Sequence, residues 1–397
     1  MRSRITASLY IHIPFCSSFC DYCDFYSIAA KNINDDYIDA FLYALVKDIK
    51  NQIDFFSVKE IPTVYIGGGT PSVLGKKIKI LLDALNKIID ISSVKEFTIE
   101  ANPESINEEF LSICREGGVN RLSLGVQTFH EKSRIAVNRA AVNPEEKLSL
   151  AAKLFQDAFS IDLITGLPYQ NEEIVLNDIS RILAFKPSHI SLYSLSVEND
   201  TPLEEKVKNK TLTLPDSEYA DSLWLAGRSA LIKAGFDHYE VSNFSRGGQS
   251  CLHNIRYWQM QNWLGAGPAA SGTIVNEDTG TAERFTFVND ADKYIKAVSK
   301  EQNLFSAAFN TPTQAALGDI INYEKIDKAA FLKECILMGF RYKDGPQPLL
   351  FKKRFGCTIE QCIGKTLVKW KGMDKMLFLN GFLRDAFCEL ENKPQLG

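Results

Sequence analysis

Six short runs rich in β-branched and aromatic residues punctuate the first half of the chain, at residues 9–14, 64–67, 96–100, 121–125, 160–165 and 189–195. Between and after them lie longer amphipathic stretches, near 35–55, 74–90, 107–117, 144–157, 171–185 and 217–234. Strands alternating with helices in this way predict a parallel sheet, because each helix carries the chain back to the start of the next strand.

Such a sheet can stay open or curl into a barrel. The turns after the runs favour the barrel. Gly67-Gly68-Gly69-Thr70-Pro71 follows the second run, Glu100-Ala101-Asn102-Pro103 the third, Gly125-Val126-Gln127-Thr128 the fourth and Gly166-Leu167-Pro168 the fifth. An open sheet concentrates chemistry at one switch point, whereas a barrel gathers all its strand ends around one mouth. Six units are fewer than a full barrel's eight, so the reading is an α/β fold with a partial (β/α)6 TIM-like barrel.

The texture changes after residue 235. A strand is expected at 236–244, then a Gly-rich stretch at 246–272, then a helix at 291–300. The polar residues 307–314 read as a linker, and the remaining Lys-, Phe- and Leu-rich tail as a small helical domain. The division is a barrel over 1–235, a barrel-completing segment over 236–306 and a mainly helical C-terminal domain over 307–397.

Composition narrows the possibilities. The 397 residues are 45% hydrophobic and 24% charged with a net charge of −4, which suits a globular protein and gives no overall basic footprint for nucleic acid. No apolar run reaches the ~20 residues of a membrane helix. The first residues carry no signal-peptide core, so a cytoplasmic protein is expected. Nine cysteines, an odd number, argue against a disulfide framework.

Three of the nine, Cys16, Cys20 and Cys23, form Cys-x-x-x-Cys-x-x-Cys directly after the first strand. Three thiolates on a four-iron cluster leave one iron open for a ligand. A structural zinc site would instead need a fourth protein ligand, for which His12, Asp21 and Asp24 are the neighbours in sequence. Cys357 and Cys362 have no third ligand of the right type nearby.

Residues 10–25, Tyr-Ile-His-Ile-Pro-Phe-Cys-Ser-Ser-Phe-Cys-Asp-Tyr-Cys-Asp-Phe, resemble the opening of the oxygen-independent coproporphyrinogen III oxidase family of radical S-adenosylmethionine (SAM) proteins. The resemblance runs from about Tyr10 to Gly272. It implies a [4Fe–4S] cluster on Cys16, Cys20 and Cys23, with SAM chelating the open iron. By the same resemblance Tyr10, Tyr22, Gly68, Gly69, Thr70, Glu100, Gln127, Arg139 and Asp162 surround SAM. Asp162 also stands out physically, since a carboxylate inside the apolar run Ile161-Asp162-Leu163-Ile164 is costly unless paired.

The family holds true dehydrogenases, which oxidatively decarboxylate coproporphyrinogen III, and a haem-chaperone branch. The dehydrogenases add a further cysteine two residues after the third, where this chain has Phe25, and they carry a longer segment before the first strand. His253-Asn254-Ile255-Arg256-Tyr257-Trp258 resembles the chaperone branch's HNxxYW motif, which implies His253 as a haem ligand. The resemblance therefore implies a chaperone with haem as cargo, haem proteins (respiratory ones among them) as recipients, an electron donor if SAM is cleaved, and a homodimer as an option. The alternative is the dehydrogenase, and a radical SAM methyltransferase fits less well. Two departures are Ala141 and Ser271, where chaperones usually have histidine.

Overall fold

The computed structural model describes residues 4–139, 142–156, 158–300, 304–305 and 319–393. Ala140, Ala141 and the linker at 307–314 lie outside them.

Strands β1 (Ser8–Ile13), β2 (Thr63–Gly68), β3 (Glu96–Ala101), β4 (Arg121–Gln127), β5 (Phe159–Thr165) and β6 (His189–Ser194) lie side by side, every pair parallel. Helices α1 (Asp35–Phe55), α2 (Ile78–Ile88), α3 (Glu108–Glu116), α4 (Pro144–Phe155), α5 (Glu172–Leu183) and α6 (Ser217–Lys233) alternate with them. The starts of these helices are written locally. Asn34, Asn107, Asn143, Asn171 and Asp216 each accept a backbone N–H of the first turn, which satisfies an otherwise orphaned donor.

Residues alternate strictly across this sheet, as the pleat requires. Leu9, Ile11, Ile13, Val64, Ile66, Phe97, Ile99, Leu122, Leu124, Val126, Phe159, Ile161, Leu163, Ile190 and Leu192 join the buried core shared with the helices. The intervening positions meet one another inside the barrel: Thr63 donates to Ser8, Tyr65 to Glu100, Ser123 to Asp162, and Ser160 pairs with His189. A full (β/α)8 barrel packs branched apolar side chains in its interior. Here the lumen is polar and the apolar packing lies outside it.

The sheet continues beyond the six strands. The expected strand at 236–244 is two, β7 (Asp237–Glu240) and β8 (Asn243–Ser245), which turn back against β6. On the other side β9 (Trp263–Ala266) pairs parallel with β1, and β10 (Ser271–Asn276), β11 (Thr281–Phe287) and β12 (Ile321–Ile326) follow antiparallel. The order is β7-β8-β6-β5-β4-β3-β2-β1-β9-β10-β11-β12, a twelve-stranded sheet. The tail thus begins with a strand of the main sheet, not with a helix. Its own helices, α9 (Lys328–Gly339), α10 (Pro348–Phe355), α11 (Ile359–Lys369) and α12 (Leu379–Glu391), enclose a second core that also takes in Met260, Val275 and Ala282. Two further helices precede them, α7 (Leu252–Trp258) and α8 (Ala291–Lys300).

Candidate cofactor site at the barrel mouth

The cysteine loop leaves the carboxyl end of β1. Its neck is fixed by a short ladder between Phe15–Cys16 and Ile28–Ala29. Cys16 is buried, and Cys20 and Cys23 are half-buried. Thr70 Oγ1 lies 3.5 Å from Cys16 Sγ and Arg139 Nη1 lies 3.4 Å from Cys20 Sγ. Burial pushes the Cys16 thiol up and that of Cys23 up to about 11, so iron must displace their protons to bind them as thiolates. Among the described residues no three His, Cys, Asp or Glu side chains converge as ligands of a single ion. A cubane asks for a wider spread, because each thiolate binds a different iron.

Regular structure is sparse in this loop, and tethers replace it. Asp21 N donates to the Val137 carbonyl, and Asn138 Nδ2 donates to that of Phe19. Leu203 N, in the helix Pro202–Lys208, donates to Asp21 O. Lys206 Nζ reaches the buried Asp21 carboxylate at 2.5 Å and the Ala136 carbonyl at 3.3 Å. The segment after β6 is therefore strapped across the cysteine loop, with Tyr22 packed beside Leu203, Val137 and Leu167. Sequence reasoning passed over Asp21 in this role and over Lys206, because only the fold brings them together.

The glycine turn after β2 is crowded by the protein itself. A Cβ on Gly69 would come 2.8 Å from Phe15 O and 3.0 Å from Cys16 Sγ, and one on Gly68, at φ +111°, would meet the His12 ring at 2.6 Å. These glycines are required before any ligand is considered.

The remaining residues expected around SAM face the lumen or the mouth. Tyr10 and Tyr65 stack with ring centroids 6.3 Å apart. Glu100 accepts from Tyr65 OH at 2.7 Å and from Gly68 N at 3.3 Å. Burial, despite the Tyr65 hydrogen bond, raises Glu100 to about 7. Burial also raises Asp162, whose carboxylate takes hydrogen bonds from Ser123 and Ser160. Arg139 bonds Asn102 Oδ1 at 2.8 Å and the Gly125 carbonyl at 2.5 Å. Gln127 stands at a bulge with φ 67°, and its buried Oε1 has no protein partner. A buried amide oxygen without a donor is a vacancy for a ligand's hydrogen bond. Soft thiols on one side, glycines tight against them, and this unmet acceptor fit an iron–sulfur cluster with SAM.

His253 lies at the other end. It sits on α7, and its Nδ1 pairs with Oγ1 of Thr63, the first residue of β2, at 2.9 Å. Five residues at ~3.3 Å each separate Thr63 from Gly68, roughly 16 Å. Glu96, the first residue of β3, accepts from Leu252 N and His253 N. Arg256 Nε donates to Ser8, the first residue of β1. Helix α7 is thus a plug on the amino end of the barrel. His253 is 1% exposed and burial lowers it to about 3. Its Nε2 has no partner but faces no open surface. Ser271 pairs with Thr286 on the added strands.

A parallel partial barrel with three cysteines at its mouth and this lumen beneath them defines the radical SAM class. A family model described as the radical SAM superfamily matches residues 10–182. The chain is 32% identical over 365 residues to the haem chaperone HemW of Lactococcus lactis, covering 91% of this chain and 88% of that one. It is 35% identical over 276 residues to HemW of Escherichia coli, covering 68% and 71%. The solved structure of coproporphyrinogen III oxidase HemN from Escherichia coli superposes with a TM-score of 0.75 at 19% identity, over 96% of this chain and 90% of that one, which shows the shared fold. The chain belongs to the HemW family of radical SAM proteins.

Proposed function

We propose that the protein is a haem chaperone, one that binds haem and delivers it to haem proteins. The observation that carries this is the match to curated haem chaperones across nine-tenths of the chain. Phe25, where the dehydrogenases have a cysteine, agrees with it.

In this reading Cys16, Cys20 and Cys23 hold the [4Fe–4S] cluster. Tyr10, Tyr22, Gly68, Gly69, Thr70, Glu100, Gln127, Arg139 and Asp162 form the SAM site. When bound, the cluster and SAM together supply one-electron chemistry. The chain's own part is to keep Arg139 against Cys20, to offer Gln127 Oε1 as an acceptor, and to hold Glu100 near neutrality of charge inside the lumen. The strap anchors the cysteine loop through Asp21. Three functional segments, 1–235, 236–306 and 307–397, remain the working division. Recipient haem proteins, respiratory ones included, an electron donor, a homodimer and a cytoplasmic location belong to the same proposal. No described helix is long and apolar enough to cross a membrane.

The test is anaerobic reconstitution with iron and sulfide, followed by haem titration and a parallel assay with SAM, dithionite and coproporphyrinogen III. Stoichiometric haem binding without decarboxylation is expected. Formation of protoporphyrinogen would make the protein a dehydrogenase and overturn the reading.

A further inference from the structure

Haem iron takes imidazole, thiolate, thioether or phenolate ligands, and an imidazole can serve only where one nitrogen is neutral, unprotonated and reachable by iron. The chain has five histidines, at 12, 130, 189, 238 and 253, all among the described residues. Four are buried. His12 bonds Tyr10 OH and the Tyr26 carbonyl, His189 bonds Ser160 and Tyr239, and His238 bonds Arg228 and the Val241 carbonyl, so both nitrogens of each are engaged. His253 keeps a free Nε2 but is sealed in the plug.

His130 differs. It follows β4 on the mouth side and stands at the start of the short helix Glu131–Ala136, partly open to solvent. Its Nδ1 lies 2.8 Å from Ser133 Oγ, and Ser133 Oγ donates to the Pro168 carbonyl at 2.5 Å. That carbonyl can only accept. Ser133's single proton is therefore committed to it, and the serine oxygen must accept from His130. The proton of the ring is fixed on Nδ1, which leaves Nε2 with its lone pair outward. Burial and the neighbouring Lys132 and Arg134 lower the ring's proton affinity. This is the arrangement that orients a metal-ligating histidine.

The surroundings suit a porphyrin. Tyr169, 49% exposed, directly follows the Pro168 whose carbonyl Ser133 bonds. Lys132 Nζ lies over the Tyr169 ring, 4.0 Å from its centroid, and is itself exposed, placing a cation where a propionate can reach it.

We propose that His130 is the axial ligand for haem iron on this protein, with Ser133 fixing its tautomer, Tyr169 packing on the macrocycle, and Lys132 pairing with a propionate. This rests on the haem-chaperone reading. Sequence alone gave His130 no role, because its credentials are an exposed nitrogen and a serine whose proton is already used.

The experiment is titration of the reconstituted full chain with ferric haem, read by the Soret band and by electron paramagnetic resonance. The wild type, His130→Ala, His130→Gly and His253→Ala are compared. Loss of a ligand's supporting partner alone typically costs about 10- to 100-fold in metal affinity; His130→Ala is expected to lose at least that and its histidine-ligated spectrum. Free imidazole should restore the spectrum in His130→Gly, which separates lost ligation from misfolding. An unchanged spectrum and affinity in His130→Ala would overturn this assignment while leaving the chaperone reading intact. Failure of the wild type to bind haem would overturn both.

Discussion

Single residues carry the sharpest consequences. Asp48 lies inside α1, donated to by Tyr294 OH at 2.7 Å, and burial raises it to about 7. Its Oδ1 and the Oε1 of Gln52, one turn on, are both buried without a partner. A proton on Oδ1 turns one of these two acceptors into a donor. Glu100 and Glu240 are likewise raised to about 7 by burial. Ordinary carboxyls in the unfolded chain titrate near 4, so between about pH 4 and 7 these three hold more protons in the native state and their contribution to stability falls as pH rises. The buried His253, lowered to about 3, acts in the opposite direction below about pH 6.5, so the carboxyl effect is read from a variant. Asp48→Asn should gain about 1–3 kcal/mol at pH 8 and little at pH 5, by urea denaturation. A gain of equal size at both pH values would mean that Asp48 is ionised in the native state.

That Cys16, Cys20 and Cys23 share one loop at the barrel mouth, beside Thr70 and Arg139, was legible at this scale, because a motif fixes both the residue types and their order. Gln127's unmet oxygen and His130's exposed nitrogen were not. Both depend on what other strands leave unpaired, and no local pattern records that. By resemblance Gly68 and Gly69 were expected around SAM, whereas the nearest constraints on the glycines of 67–69 are Glu100, His12, Phe15 and Cys16.

Elements come next. Helix α7 is about two turns long and its first amides rest on Glu96, and α10 is held by Arg354, 3% exposed, which pairs with Glu277 and donates to the Gln259 and Met260 carbonyls. Removing one partner of such a buried pair costs about 3–5 kcal/mol. Arg354→Met should lower stability by that order. Glu96→Ala should cost about 1–3 kcal/mol by stranding buried amides, and hydrogen exchange should quicken at Leu252 and His253 before it does in the barrel strands. Protection there equal to the wild type would show that the plug does not depend on Glu96. Helix spans such as α1 and α8 could be read from periodicity almost to the residue. The run at 236–244 was read as one strand where two lie, and the strand at 321–326 was not read, since the break between the first two and the pairing of the third with β11 are set by the strands they lie against.

The whole molecule shows why the tail is not an appendage. β12 continues the main sheet, and the second core includes Met260, Val275 and Ala282 from the region before it. Deleting everything after Asp327 would bare those side chains and those beside them. The truncated chain should aggregate or bind a hydrophobic dye strongly. A soluble, cooperatively melting truncation would show that the barrel stands alone. The parallel barrel was legible from the order of strands and turns, but its sidedness is the structure's contribution.

That sidedness has an evolutionary edge. Because apolar packing lies between the strands and the outer helices, the lumen contributes little of the adhesion that keeps the chain folded. Its serines, tyrosines and acids can be exchanged as matched partners that leave no buried atom unpaired, while the scaffold that aims them stays put. A wall of this kind can change its contents without rebuilding itself, so one architecture can turn from transforming a tetrapyrrole to carrying one.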